Sequence, residues 1–125
     1  MNLLLDTHTL LWWLDDAPGL TRRAREAIAD AENTVYLSAV VVWELRIKEA
    51  LGKVSLPDRF RSVLDDQPFV DLPVTVGHAH AVADLPPIHR DPFDRMLVAQ
   101  AICEGFTVVT RDSSIPAYAV TTIEA

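Results

Sequence analysis

The stretch Ile88–Phe106, IHRDPFDRMLVAQAICEGF, constrains the fold most, because it spells out both ends of a buried helix. Asp91 suits the N-cap, Pro92 the first helical position, and Asp94 falls at the third. Met96 to Cys103 is apolar apart from Gln100, so this helix is expected to be buried on most sides, with Cys103 packing as a small hydrophobe. Gly105 stops it, and Phe106–Thr110 reads as a short buried strand. His89, Arg90 and Arg95 flank two carboxylates at the mouth of this helix. Taken alone, the pair reads as capping, with Asp91 as the cap and Asp94 completing a variant capping box.

The rest of the chain alternates strands and helices. Asn2–Leu5 reads as a strand ended by Asp6, followed by a helix over Thr7–Leu14 that carries Trp12 and Trp13. Thr21 suits the N-cap of a helix to about Ala31, with Glu26 pairing on its surface with Arg22 or Arg23. Thr34–Leu37 is a second strand, and Ser38 caps a helix over Ala39–Leu51 whose apolar stripe is Val40, Trp43, Ile47 and Leu51. A more polar helix spans about Asp58–Asp66. Phe69–Val74 reads as irregular and extended, Val76–Ala83 as a short helix, and Ala119–Ile123 as a last strand. The pattern predicts an α/β protein, a three-layer α/β/α sandwich around a short, mostly parallel sheet. With 125 residues there is room for one such domain, residues 1–125, and too little for two.

That architecture brings distant acids together. Asp6 and Asp112 each follow a strand and lie at the carboxyl edge of the sheet, where open α/β folds build their sites. Helices start at the same edge, which adds Asp94 and Glu44. Each acid has a plain structural reading as cap, turn residue or, for Glu44, partner of Lys48 one turn on. Four together repel and raise one another's pKa, so a cation is expected among them. Relieving that repulsion with Asp112→Asn is expected to stabilise the ion-free protein. Hard Mg²⁺ or Mn²⁺ matches an all-oxygen set, and one or two such ions can activate water against a phosphoryl group. Zinc fits less well: Cys103 is alone, and the four histidines lack ligand spacing, with His78 and His80 read as surface or packing residues. The net charge of −7 does not advertise a nucleic-acid binder, yet a metal-dependent nuclease must carry its own carboxylates. A lone cysteine and an apolar start without a basic leader, interrupted by Asp6, point to the cytoplasm and to no membrane span.

LLLDTHTLLWWL, SAVVVWELRIK, HRDPFDRMLVAQA and TVVTRD, in that order and spacing, resemble a PIN-domain ribonuclease, more narrowly the VapC toxins of type II toxin–antitoxin pairs. The resemblance covers essentially the whole chain. It implies Mg²⁺- or Mn²⁺-dependent cleavage of RNA, with Asp6, Glu44, Asp94 and Asp112 as the acidic metal-binding and catalytic quartet. By the same resemblance Asp91 is a cap or support, and Thr110 orients Asp112 or a water. Arg90, Arg95 and Arg111 lie nearest the acids to hold RNA, with surface pairing as the alternative for each. Trp12 and Trp13 are split between stacking bases and packing the core. A small VapB-like antitoxin and a homodimer are the implied partners. Two other readings are a housekeeping PIN nuclease and a haloacid-dehalogenase-like Mg²⁺ phosphatase. The phosphatase would need an acid two residues after Asp6, where this chain has His8.

Overall fold

In the computed structural model, which describes residues 1–125, the strands all pair in parallel. They are β1 (Asn2–Leu5), β2 (Thr34–Ser38), β3 (Phe69–Leu72), β4 (Thr107–Thr110) and β5 (Thr122–Glu124). The helices are α1 (Thr7–Leu14), α2 (Arg22–Ala29), α3 (Ala39–Ala50), α4 (Phe60–Asp65), α5 (Val76–Val82) and α6 (Pro92–Glu104), with a 3-10 turn at Ile115–Ala117. The sheet order is β3-β2-β1-β4-β5. The chain therefore winds outward from β1 on one side, returns, and winds outward again from β4. A crevice opens at the carboxyl ends of β1 and β4, where that direction reverses.

The core explains why β1 sits in the middle. Leu3, Leu4 and Leu5 are buried on both faces, as a central parallel strand requires. Val108 and Val109 of β4 and Val35 and Leu37 of β2 are buried beside them. Helix α6 packs on α5 and α3, and α1 packs on α3.

Three details differ from the sequence reading. The stretch taken as irregular begins with β3, an edge strand whose Val70 and Asp71 both face solvent, which removes the alternation that marks a strand. Cys103 is exposed, with Ile102 beside it. Helix α6 buries every residue from Leu97 to Ala101, so its middle is enclosed on all sides and its last turn simply emerges into solvent. Helix α3 is rotated by about one residue, roughly 100°. Val40, Val41, Glu44 and Leu45 point inward, while Trp43 is 61% exposed and Leu51 63%. The apolar residues Val40, Val41, Val42, Trp43, Leu45 and Ile47 spread around the helix and mark no unique stripe, and the rotation is what carries Glu44 to the buried face.

Candidate functional site

All four acids line one cleft of about 410 Å³ at the β1/β4 crevice, joined there by Asp91, His89, Lys48, Arg111, His8, Thr7 and Trp12. Asp6 is held at two points. Its Oδ1 caps α1 by accepting from the Thr9 N–H (2.9 Å), and its Oδ2 accepts from the Thr110 hydroxyl (2.5 Å). The same hydroxyl accepts from the Asp112 N–H (2.9 Å), so Thr110 ties the ends of β1 and β4 together. Glu44 is 5% exposed, accepts from the Thr7 hydroxyl at 2.6 Å and pairs with Lys48 Nζ at 2.5 Å. Asp112 Oδ1 accepts from the Ser114 N–H at 2.7 Å. Asp91 caps α6, accepting from the Phe93 and Asp94 N–H groups at 2.8 and 3.2 Å, and thereby sets Asp94 at the lip of the cleft.

His89 completes the arrangement. Its Nε2 lies 2.8 Å from Asp112 Oδ2 and 3.0 Å from Asp94 Oδ2. Its Nδ1 accepts the Asp91 N–H at 3.1 Å, and its own N–H donates to the Tyr118 hydroxyl at 2.7 Å. Nothing in the spacing of the sequence singled out this residue. It sits in the loop before α6, and its two acid partners meet it only through the fold. The HRD triplet beside the cap was the one available signal.

The acids do not share the strain equally. Burial, then Asp91, Glu44 and Asp112, push Asp94 up to about 7, against the opposing pull of His89. Asp112 goes the other way: burial raises it, but the His89 hydrogen bond and the Ser114 N–H hold it below the usual carboxylate range. This corrects the expectation that Asp112 is a point of repulsion. Burial lowers His89, while Asp112, Asp94 and Asp91 pull it up more strongly. Lys48 is raised, first by its hydrogen bond to Glu44.

The arginines divide. Arg95 is turned away from the acids and donates to the carbonyls of Pro86 (3.0 Å) and Val82 (3.1 Å), clamping the turn between α5 and α6. Arg111 donates to the Ala125 carbonyl at 2.8 Å yet also lines the cleft, its guanidinium 4.4 Å from the Trp12 ring centre. Arg90 borders a separate apolar cavity with Trp43, Phe93 and Met96. Trp12 is half-buried at the cleft, and Trp13 is half-buried with its N–H on Gln67 at 3.0 Å. His78 is buried, closes a capping box with Thr75 and pairs with Glu104 at 2.8 Å. On α2 the surface pairing falls to Arg25 with Asp16, rather than to Glu26.

The donor set fits a hard divalent ion. Four carboxylates from four separate elements open on one cleft, and the ligand atoms of His89, Asp94 and Asp112 lie within 4.8 Å of one another, with burial and the neighbouring acids holding Asp94 above the usual carboxylate range. His89 stands close enough to be a ligand, but its hydrogen bonding suits a donor to the acids better. Ligation through Nε2 requires that nitrogen bare, and the other ring nitrogen already accepts a backbone N–H.

The PIN-domain family pattern matches residues 3–120. This chain belongs to the PIN-domain family. It is 31% identical over 116 residues to Ribonuclease VapC22 of Mycobacterium tuberculosis, across 89% of this chain and 87% of that protein. Among solved structures, this PIN domain is similar to VapBC2 from Rickettsia felis bound to a DNA fragment from its promoter (TM-score 0.74, 18% identity, 98% of each chain). It is also similar to FitAcB from Neisseria gonorrhoeae (TM-score 0.69, 26% identity, 98% of this chain and 96% of that one). Family membership sets aside the haloacid-dehalogenase alternative.

Proposed function

We propose that this PIN domain is a VapC-type toxin, an endoribonuclease that depends on Mg²⁺ or Mn²⁺. The observation that carries the reading is the convergence of Asp6, Glu44, Asp94 and Asp112 on one cleft at the β1/β4 crevice. When bound there, a divalent ion supplies a lowered pKa for water and stabilisation of charge on the phosphoryl group. The chain's own residues hold and aim. Asp6, Glu44, Asp94 and Asp112 would hold the ion. Thr110 keeps Asp6 and Asp112 in fixed relation, and Asp91 orients the first turn of α6 beneath Asp94. Arg95 supports that turn from outside. Lys48, Arg111 and Trp12 border the cleft and meet the RNA backbone and bases. Attack by water at phosphorus leaves a 5′-phosphate and a 3′-hydroxyl.

A small antitoxin restrains this activity, and the toxin pairs with itself as a homodimer in the cytoplasm. No helix is long and apolar enough to cross a membrane. Among the large apolar groups of α1 and α3 that could dock an antitoxin, Trp43 is the most exposed, since Trp12, Trp13 and Ile47 are half-buried. A basic antitoxin side chain reaching the acids would compete with the ion.

The test is inducible expression of wild type beside Asp94→Asn, with and without the neighbouring small open reading frame, followed by sequencing of cellular RNA 5′ ends. Wild type alone should arrest growth and create new 5′ ends; Asp94→Asn, or co-expression of the small protein, should prevent both. Harmless expression of the wild type, with no small protein co-purifying from the native cell, would leave a housekeeping nuclease as the better account.

A further inference from the structure

The loop before α6 holds its histidine more firmly than a surface loop needs to. His89 is fixed through its backbone N–H by the buried Tyr118 hydroxyl (2.7 Å) and through Nδ1 by the Asp91 N–H (3.1 Å). The second contact decides the tautomer. A lone pair that receives a backbone N–H carries no proton, so in the neutral ring the proton is on Nε2. That N–H donates to Asp112 Oδ2 at 2.8 Å, and Asp94 Oδ2 lies against the same nitrogen at 3.0 Å as a charge contact. These oxygens come from different elements, one beyond β4 and one on α6, and no backbone hydrogen bond joins the two residues.

We propose that His89 is a positioning residue: its fixed Nε2–H holds the Asp112 carboxylate while the same nitrogen lies against Asp94, so that the ring sets the spacing of the two acids and prepares them to receive the ion. The inference rests on the metal reading of the cleft. It assigns His89 to holding the ligands, not to ligation or to contact with the reacting atoms. Partners of this kind commonly change metal affinity by about ten- to a hundredfold when removed.

Two measurements on the full chain test it. In ¹⁵N NMR of the ion-free protein, with the pH raised until the ring is neutral, His89 should show a protonated Nε2 and an unprotonated, hydrogen-bonded Nδ1. In calorimetric titrations, His89→Ala should weaken Mn²⁺ binding by about tenfold or more. His89→Gln, whose terminal amide N–H can replace the hydrogen bond to Asp112, should recover most of the affinity. A merely structural side chain would not be rescued in this way, and circular dichroism checks that each variant is folded. Tyr118→Phe, which frees the backbone anchor and leaves the ring in place, should weaken binding less than His89→Ala. An Nδ1–H tautomer, or His89→Ala binding Mn²⁺ as tightly as wild type, would overturn the positioning role while leaving the metal reading intact. Wild type that binds no Mn²⁺ would overturn the metal reading, and the positioning role with it.

Discussion

Asp94 and Asp112 carry the same charge in the same cleft, yet their neighbours treat them in opposite ways. Asp94 has a folded-state pKa of about 7 against an ordinary 3.8. Between those values the folded protein binds more protons than the unfolded chain, so stability falls as pH rises through the window. Without metal, Asp94→Asn should therefore match wild type near the acid end. It should exceed wild type above about pH 7 by on the order of 1–3 kcal/mol, read in melts with EDTA. Asp112 is held low, so its contribution is present above the ordinary carboxylate pKa and is lost as pH falls through the lower folded value. Asp112→Asn weakens its bonds to His89 and Ser114 and should destabilise the ion-free protein by about 1–2 kcal/mol at neutral pH. Both variants should lose turnover. Equal stabilisation by both would mean that His89 does not distinguish the two acids. The four acids were legible in the sequence because each stands just after a strand or near the start of a helix. Their unequal strain was not, because His89 reaches them through a loop whose course no periodicity records.

Helix α6 is the most legible element, with its cap, proline and terminal glycine all in place: Gly105 adopts φ 71°, the left-handed conformation that closes the helix. Its N-cap gives a clean separation of roles. Asp91→Ser keeps an oxygen for the Phe93 and Asp94 N–H groups and should preserve the fold and much of the activity. Asp91→Ala should cost about 1 kcal/mol and lower activity by loosening the turn that carries Asp94. Chemical denaturation beside RNA-cleavage rates checks this; a collapse of activity in Asp91→Ser to the level of Asp94→Asn would make Asp91 a ligand. Helix α3 was harder to read, since Val40, Val41, Val42, Leu45 and Ile47 spread around it and allow more than one buried face. The fold settles the choice by bringing Glu44 to Thr7, a contact between residues 37 apart in the chain. Strand β3 escaped because an edge strand with two exposed neighbours loses the pattern that identifies strands.

At the scale of the molecule, a chain of net charge −7 has to draw RNA to an acidic cleft with few local cations, chiefly Lys48 and Arg111. Lys48 is already committed to Glu44. On the proposed reading an ion held by the four acids would supply much of the positive field the substrate meets, so metal should govern RNA binding as well as cleavage. The sheet order makes this arrangement possible: the reversal between β1 and β4 opens the crevice, and the loops that follow those strands place Asp6 and Asp112 on its two sides. The most direct test is cleavage of a single-stranded RNA by purified, antitoxin-free protein over a titration of Mg²⁺ and of Mn²⁺, with Asp94→Asn in parallel. The account predicts no cleavage in excess EDTA, recovery of 5′-phosphorylated products when either ion is restored, and none from Asp94→Asn at any metal concentration. Undiminished cleavage by the wild type in EDTA, or wild-type cleavage by Asp94→Asn, would contradict it.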